Sequence, residues 1–472
     1  MSEERKNPLL RPAAELRRAL PRRGPRAPRV LAALTAIFLA ASAALLFPAR
    51  EQKTTNTPAQ KAESSFTQLI PAGAGTPVAA RVEAQGEAYT LRAGEDGSFA
   101  LSAAALSIDA AAARRVLSCG ASLLARQRID AQDTAAFGLD PARVSASFTY
   151  ADGRTLTLHL GDAPATGEGR YAQVEGTDGV YVVNRAVYET LSAGAKALAA
   201  LPDLTMFQAE TLLRAAVTPR GGETVSVARV TEANPFNTVA EMTEPIRYPA
   251  SSERAAELFL AVCGLEIERY TGRAEGKEAL SAYGLDAPLF TLHLLGAGGE
   301  TLDAQVGEAD GALYARLDEG DVVYALSRDA ARIPEIARVT YLAEQLPGLV
   351  SLADVKTLTL RRGGETHRLS VERTQTGEAR YWVDDEAVEL EDFRPYYQAA
   401  IGLLIDRRLG EGQQPGACRA SFTYTFTDGT EWALRFLDCG DTYDAVERDG
   451  EAAFLIARQK VDAVFERFAG EE

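Results

Sequence analysis

Hydrophobic and polar positions follow three regimes along this chain. Val30–Phe47 is an unbroken apolar run with no charged residue, and Glu51–Ser65 is polar and aperiodic. From residue 66 onward, short alternating segments are separated by Gly-containing turns and interleaved with stretches of helical period. Alternation with period two predicts strands half-buried against a core, and apolar spacing of three and four predicts amphipathic helices. Val355–Leu360 splits into two phases in this way, Val355, Thr357 and Thr359 against Lys356, Leu358 and Leu360. Hairpin turns are expected at Gln85-Gly86-Glu87, Gly221-Gly222-Glu223 and Gly363-Gly364-Glu365, where glycine supplies the backbone conformation that short loops need.

The pattern repeats. Phe137–Asp162 aligns without a gap on Tyr283–Glu308 at an offset of 146 residues, sharing Gly-Leu-Asp, a Gly-centred turn, Thr-Leu and a Gly-acid pair. One helix precedes each copy. Ala112, Val116, Cys119, Gly120 and Leu123 form one stripe, and Ala256, Leu260, Cys263, Gly264 and Ile267 form the matching stripe at an offset of 144. A third helix around Tyr397, Ile401, Gly402 and Leu404 keeps the glycine, and the three glycines predict helices lying close against a sheet. Second hairpins turn at Asp152-Gly153, Gly298-Gly299 and Asp428-Gly429, and a last strand pair closes each unit. The fold class expected is α+β: an N-terminal transmembrane helix, then three tandem repeats of antiparallel sheet, each with one main amphipathic helix. The expected segments are 1–29 basic tail, 30–47 transmembrane helix, 48–65 linker, and modules at 66–200, 201–347 and 348–472, the last diverged.

The Tyr/Phe-Gly-Leu-Asp motif at 137–140 and 283–286, Leu-Gly-Asp at 160–162 and Val-Tyr-Val-Val at 180–183 resemble a bacterial domain-of-unknown-function family, DUF4340. Thr243-Glu244-Pro245-Ile246 before Tyr248-Pro249 fits the same pattern. The resemblance implies one N-terminal membrane anchor and an auxiliary envelope role beside gliding-motility-type ABC transporter components. It implies no activity.

Charge sharpens the N-terminal reading. Residues 1–29 hold nine Lys/Arg against three acids, a net of +6, which leaves −22 on the remainder. As a helix, the apolar run spans roughly 27 Å, enough for a bilayer core. The basic flank then stays cytoplasmic and the body lies outside. The alternative is a signal peptide cleaved at Ala41-Ser42-Ala43, which exports the body equally. An acidic body argues against nucleic acid, whose phosphates it would repel.

Candidate chemistry is sparse. His159, His293 and His367 sit in strands of different modules, with no pair at metal-ligand spacing. No nucleophile elbow, zincin helix or phosphate-binding glycine loop occurs. Gly138-Leu139-Asp140 and Gly284-Leu285-Asp286 read as turn chemistry: Gly for the turn, Leu for the core, Asp to close it. The acidic clusters 318–321 and 384–392 read as solvated turns. Cys119 and Cys263 read as equivalent buried free thiols. If Asp428-Gly429 is a two-residue loop, Thr427 faces Thr430 and Cys418 faces Cys439, which predicts a Cys418–Cys439 disulfide in an oxidising compartment.

The function expected is that of a non-enzymatic, cofactor-free, membrane-anchored extracytoplasmic protein. It would serve an ABC-type transport complex as an accessory or scaffold subunit, with the bilayer held through Val30–Phe47. The alternative is a glycan- or peptide-binding module that uses grooves between modules, with Trp382, Tyr381, Tyr396 and Tyr397 as a stacking surface. Against that, Trp382 is expected to fill the core from its strand.

Overall fold

A computed structural model describes residues 66–102, 107–131, 133–374 and 378–469. The basic tail, the expected membrane helix and the linker lie outside the described residues. Among the described residues no helix is long and apolar enough to cross a membrane.

Alternating apolar positions fold into three antiparallel sheets of nine strands each. The first contains β1 (Thr67–Ile70), β2 (Ala79–Ala84), β3 (Glu87–Ala93), β4 (Phe99–Leu101), β5 (Leu123–Ile129), β6 (Val144–Thr149), β7 (Thr155–Leu160), β8 (Arg170–Val174) and β9 (Val180–Val183). Helix α1 (Ala110–Ser118) precedes β5, and α2 (Arg185–Ser192) follows β9. The second sheet contains β10 (Arg214–Pro219), β11 (Val225–Arg229), β12 (Ala240–Glu244), β13 (Tyr248–Pro249), β14 (Ile267–Arg273), β15 (Phe290–Leu295), β16 (Thr301–Ala309), β17 (Ala312–Leu317) and β18 (Val322–Leu326). Its helices are α3 (Ser252–Cys263), α4 (Gly276–Ser281), α5 (Ile333–Ile336) and α6 (Val339–Leu342). The third contains β19 (Val355–Arg362), β20 (Glu365–Arg373), β21 (Ala379–Val383), β22 (Glu386–Val388), β23 (Arg407–Arg408), β24 (Cys418–Phe426), β25 (Glu431–Cys439), β26 (Tyr443–Arg448) and β27 (Glu451–Ala457), with α7 (Leu390–Ile401) and α8 (Arg458–Glu466).

The spatial orders coincide over eight strands. Sheet one runs β5-β9-β8-β7-β6-β2-β3-β4, sheet two β14-β18-β17-β16-β15-β10-β11-β12, and sheet three β23-β27-β26-β25-β24-β19-β20-β21. Each unit is thus a three-strand meander, a helix, a closing edge strand and a four-strand meander. The ninth strand differs: β1 adds beside β5, whereas β13 and β22 add at the opposite edge. Helical turns also follow the last meander in every unit, so the expected single main helix per module is joined by at least one more.

Helix phase departs from expectation in the second unit. The buried face of α3 is Ala255, Leu258, Phe259 and Val262, while Leu260 is 60% exposed. The helices correspond at an offset of 143, not 144. Ala112, Val116 and Cys119 then match Ala255, Phe259 and Val262, and in the third unit Phe393, Tyr397 and Ala400. Cys263 is therefore not the counterpart of Cys119. The glycines differ as well. A Cβ on Gly120 would stand 2.5 Å from the Phe148 ring, so that glycine does lie against its sheet. Gly264 and Gly402 are exposed C-caps whose Cβ would meet their own helix carbonyls, Leu260 O at 2.9 Å and Gln398 O at 2.7 Å.

The hairpins explain the repeat. The first loop has two residues in units one and three, with Gln85-Gly86 and Gly363-Gly364 between paired Ala84/Glu87 and Arg362/Glu365. The second loop has three residues in every unit, ending at Gly153, Gly299 and Gly429 with φ of 85°, 89° and 87°. In β19, a register shift between Val355 and Thr357 swaps the buried phase from Val355 to Leu358 and Leu360.

Gly138 and Gly284 adopt left-handed φ of 69° and 67°, and Leu139 and Leu285 behind them are buried. Asp140 and Asp286 are exposed. The backbone of Phe137-Gly138 lies directly on the end of β7, where Asp162 N–H donates to Phe137 O at 2.9 Å. A Cβ on Gly161 would stand 2.1 Å from Phe137 O, and one on Gly307 2.4 Å from Tyr283 O. The Gly-Leu-Asp and Leu-Gly-acid signatures are two sides of one close backbone contact. The third unit has Leu437 where Gly161 and Gly307 stand, and it lacks the Gly-Leu-Asp turn as well.

A Gly161→Ala variant should therefore lose about 2–3 kcal/mol, because the obstacle is backbone that cannot rotate away. Urea unfolding of the full chain measures this; an unchanged midpoint would remove the contact from the account.

Candidate functional site

The most distinctive side-chain arrangement lies where the second and third units meet. Their buried residues form one continuous core, whereas the first unit has a core of its own. Tyr248 of β13 packs on Phe454 of β27, with ring centroids 4.6 Å apart. Phe236 reaches across from the loop between β11 and β12. Asn234 shapes that loop: its Oδ1 accepts from Phe236 N–H at 3.2 Å and Thr238 N–H at 3.0 Å, and its Nδ2 donates to Thr238 O at 2.9 Å. The Phe236 ring then sits edge-on to Trp432 of β25, 4.7 Å away.

Arg448 completes this junction. It ends β26 just before the tight Asp449-Gly450 turn, and it is only 6% exposed. Its guanidinium carbon lies 4.1 Å from the Phe236 ring centre and 4.7 Å from that of Trp432. Nη1 donates to Pro347 O at 2.7 Å, in the segment joining the two units. Nε makes no hydrogen bond; Asp449 Oδ2 lies 3.4 Å away, near enough for charge attraction. Asp449 in turn accepts from Trp432 Nε1 at 2.8 Å. Burial pulls the Arg448 pKa down from its ordinary value, yet arginine stays charged throughout the physiological range. Beside it opens a cavity of about 320 Å³, lined by Phe236, Thr238, Ser252, Glu344, Ser351 and Arg448 among others.

A second cluster ties α8 to the third sheet. His367 on β20 shares protons with Asp384 (2.6 Å from Nδ1) and Glu365 (3.0 Å from Nε2), and it stacks on Phe468 at 4.2 Å. Charge continues from Glu365 to Arg362, from Arg362 to Asp462 of α8, from Asp462 to Arg419, and from Arg419 to the fully buried Asp444. Desolvation pulls the His367 pKa down, but its hydrogen bonds to Asp384 and Glu365 outweigh that, and the pKa is raised.

The remaining residues singled out by sequence are dispersed. His159 bonds Ser145 at 2.9 Å and His293 bonds Asp303 at 2.8 Å, each within its own sheet. Asp318 and Glu319 form a positive-φ turn between β17 and β18, and Asp321 pairs with Arg273 at 2.6 Å. Asp384 and Asp385 likewise turn the β21–β22 hairpin. Among the described residues no group of three or more His, Cys, Asp or Glu side chains could hold a metal ion.

All four cysteines are free thiols. Cys418 faces Leu437, not Cys439. The three-residue Thr427-Asp428-Gly429 loop moves the register by one, and an irregularity between Cys418 and Ala420 moves it again. The facing that predicted the disulfide is therefore absent. Cys119 is buried, whereas Cys263 is only half-buried; desolvation raises both thiols to a pKa of about 11. The proposed aromatic surface is also split. Tyr397 is buried, with its hydroxyl on Val350 O at 2.9 Å, Tyr381 packs on Phe393, and Tyr396 packs on Phe468. Tyr381 and Val383 face the core, which puts Trp382 on the opposite face of β21 and not in the core as expected. Phe236, Trp432 and Arg448 carried no periodic signal, because two lie at strand ends and one in a loop.

These features define an α+β protein of tandem antiparallel-sheet units with helix-covered cores, of which the second and third are continuous. The chain belongs to the family described as domain of unknown function DUF4340, which matches twice, at residues 99–288 and 241–400. No curated protein matches it.

Two outcomes follow from these contacts. Arg448→Met should lower stability by about 2–3 kcal/mol, since it leaves Pro347 O unpaired and removes a desolvated cation between two rings. Equilibrium denaturation measures it, and no shift would show the clamp to be inert. His367→Gln should destabilise by about 1–2 kcal/mol near pH 5.5 and much less near pH 9. A raised folded-state pKa contributes stability below the ordinary histidine value, and that contribution is lost as pH climbs through the folded value. Denaturation midpoints at the two pH values decide; equal losses at both would assign His367 a purely packing role.

Proposed function

We propose that the chain is a membrane-anchored, extracytoplasmic accessory subunit that acts by protein contact within an ABC-type, gliding-motility-like transport complex, without enzymatic activity of its own. The anchor is the 30–47 segment, and the three units project beyond the bilayer. The observation that carries the contact reading is an open apolar groove of about 230 Å³ on the second unit. Ala256 and Phe259 line it, together with Leu260, 60% exposed, and Val239, 47% exposed. Large aliphatic side chains left together in water mark a surface that another protein covers. The continuous core beneath gives that surface a stiff backing.

Less supports the alternative, a glycan- or peptide-binding module of the cell envelope, since Tyr397, one of the four rings of its stacking surface, is buried.

The test is affinity purification of the tagged full chain from detergent-solubilised membranes. Transporter subunits should co-purify, and Leu260→Arg should reduce their recovery at least several-fold. Recovery of no transporter subunit, or equal recovery with Leu260→Arg, would overturn the reading.

A further inference from the structure

We propose that the apolar groove on the second unit receives a partner segment that is both apolar and basic: one large apolar side chain, with a Lys or Arg beside it. This rests on the contact reading above and adds the chemistry of the partner to it. Size sets the first requirement. A dry cavity of roughly 150 Å³ admits a benzene ring, and the groove measures about 230 Å³. It therefore holds one aromatic or long aliphatic side chain. Buried Ala240, Ala255 and Phe259 form its floor, and the exposed Val239 and Leu260 stand at its rim.

Charge sets the second requirement. Glu210 lines the groove, and Glu253 lies in the first turn of α3 between two lining residues, Ser252 and Ala256. Both carboxylates are exposed, and among the described residues neither pairs with a Lys or Arg. The cation in the lining, Arg229, has its fork engaged. Its Nε donates to Leu212 O at 3.0 Å, its Nη2 donates to Ala209 O, and its guanidinium lies 5.2 Å from the Phe259 ring centre. Arg254 and Glu257, on the neighbouring flank of α3, are both held by Tyr341 and balance each other. Arg229 thus offsets one of the two free acids, and the groove stays acidic on a body that is itself strongly acidic. An arriving cation gains those carboxylates, whereas an acidic segment is repelled by them. Glu253 and Ala256 stand roughly 4.5 Å apart along the helix axis, so on a helical partner the cation falls three or four residues from the apolar side chain.

The experiment places a benzophenone side chain at Ala256 of the tagged full chain, irradiates intact membranes, and sequences the cross-linked peptide by mass spectrometry. The peptide should come from a transporter subunit and carry a large apolar residue with a Lys or Arg within four positions. In parallel, Glu210→Gln and Glu253→Gln are combined. Both glutamates are exposed and unpaired, so the double variant should keep the wild-type Tm. It should recover at least five-fold less transporter subunit at about 50 mM salt, and raising the salt to about 500 mM should weaken wild-type recovery likewise. A cross-linked segment that is acidic or uncharged, or recovery indifferent to both glutamates and to salt, would overturn the proposal. If recovery still depends on Leu260 in that case, the contact reading stands and only the basic partner falls. Recovery of no transporter subunit by the wild type overturns both.

Discussion

Taking a guanidinium out of water costs several kcal/mol unless rings, carbonyls and counter-charge replace its hydration. Arg448 meets that condition only when three separate parts of the chain are in place at once: the Phe236 loop of the second unit, the Pro347 carbonyl between units, and Trp432 with Asp449 of the third. Each desolvated cation–ring contact contributes about 2 kcal/mol or more, and together with the Pro347 carbonyl and Asp449 these contacts offset the desolvation. The arrangement therefore couples the two units. The same coupling is visible in the apolar residues, which run without a break from α3 and β13 into β27 and α8. The first unit has no comparable fusion. It meets the second through the 3₁₀ turn Ala195–Leu198 near β14, beside a polar-walled cleft that includes Arg273 and Tyr324.

What the sequence revealed most clearly was the alternation. β6, β15 and β24 each bury every second residue, Val144, Ala146 and Phe148 in the first case and Phe422, Tyr424 and Phe426 in the last. Antiparallel strands and their turns followed from that period and from the glycines. Helix phase was harder to read. A fixed offset carries register from one repeat to another only if no residue is gained or lost between helix and strand. Here the helices correspond at 143 and the strands at 146, so Leu260 moved from an inferred core position to the surface. A single-residue error also undid the Cys418–Cys439 facing, since loop length sets hairpin register and Asp-Gly is compatible with loops of two or three residues.

The junction was illegible for a different reason. Phe236 follows Pro235 in an aperiodic loop, and Arg448 reads as one more surface charge at a strand end. Nothing in their local sequence marks them as buried. Their environment is created by chain segments about 200 residues apart, and only the assembled units bring it into being. The His367 line of charge is similar: it joins β19, β20, β24, β26 and α8, each of which shows only ordinary polar residues.

The two family matches make the coupling intelligible. They begin at Phe99 and Glu241, in the third meander strand of one unit, and they end within or just before the helical or meander region of the next. Each match is thus out of phase with the sheet: it comprises the helix, closing strand and second meander of one unit plus the first meander and the following helix of its successor. A segment so defined cannot close a nine-stranded sheet alone, because β15 must pair with β10 and β24 with β19. Each match is completed only by chain on both sides, so the sheets depend on tandem order. Tandem order in turn brings a loop of one unit against the strand ends of the next, which is where Phe236 and Arg448 meet. The cavity beside them is a product of that overlap, and any ligand or partner engaging it would sense two units together and neither one alone.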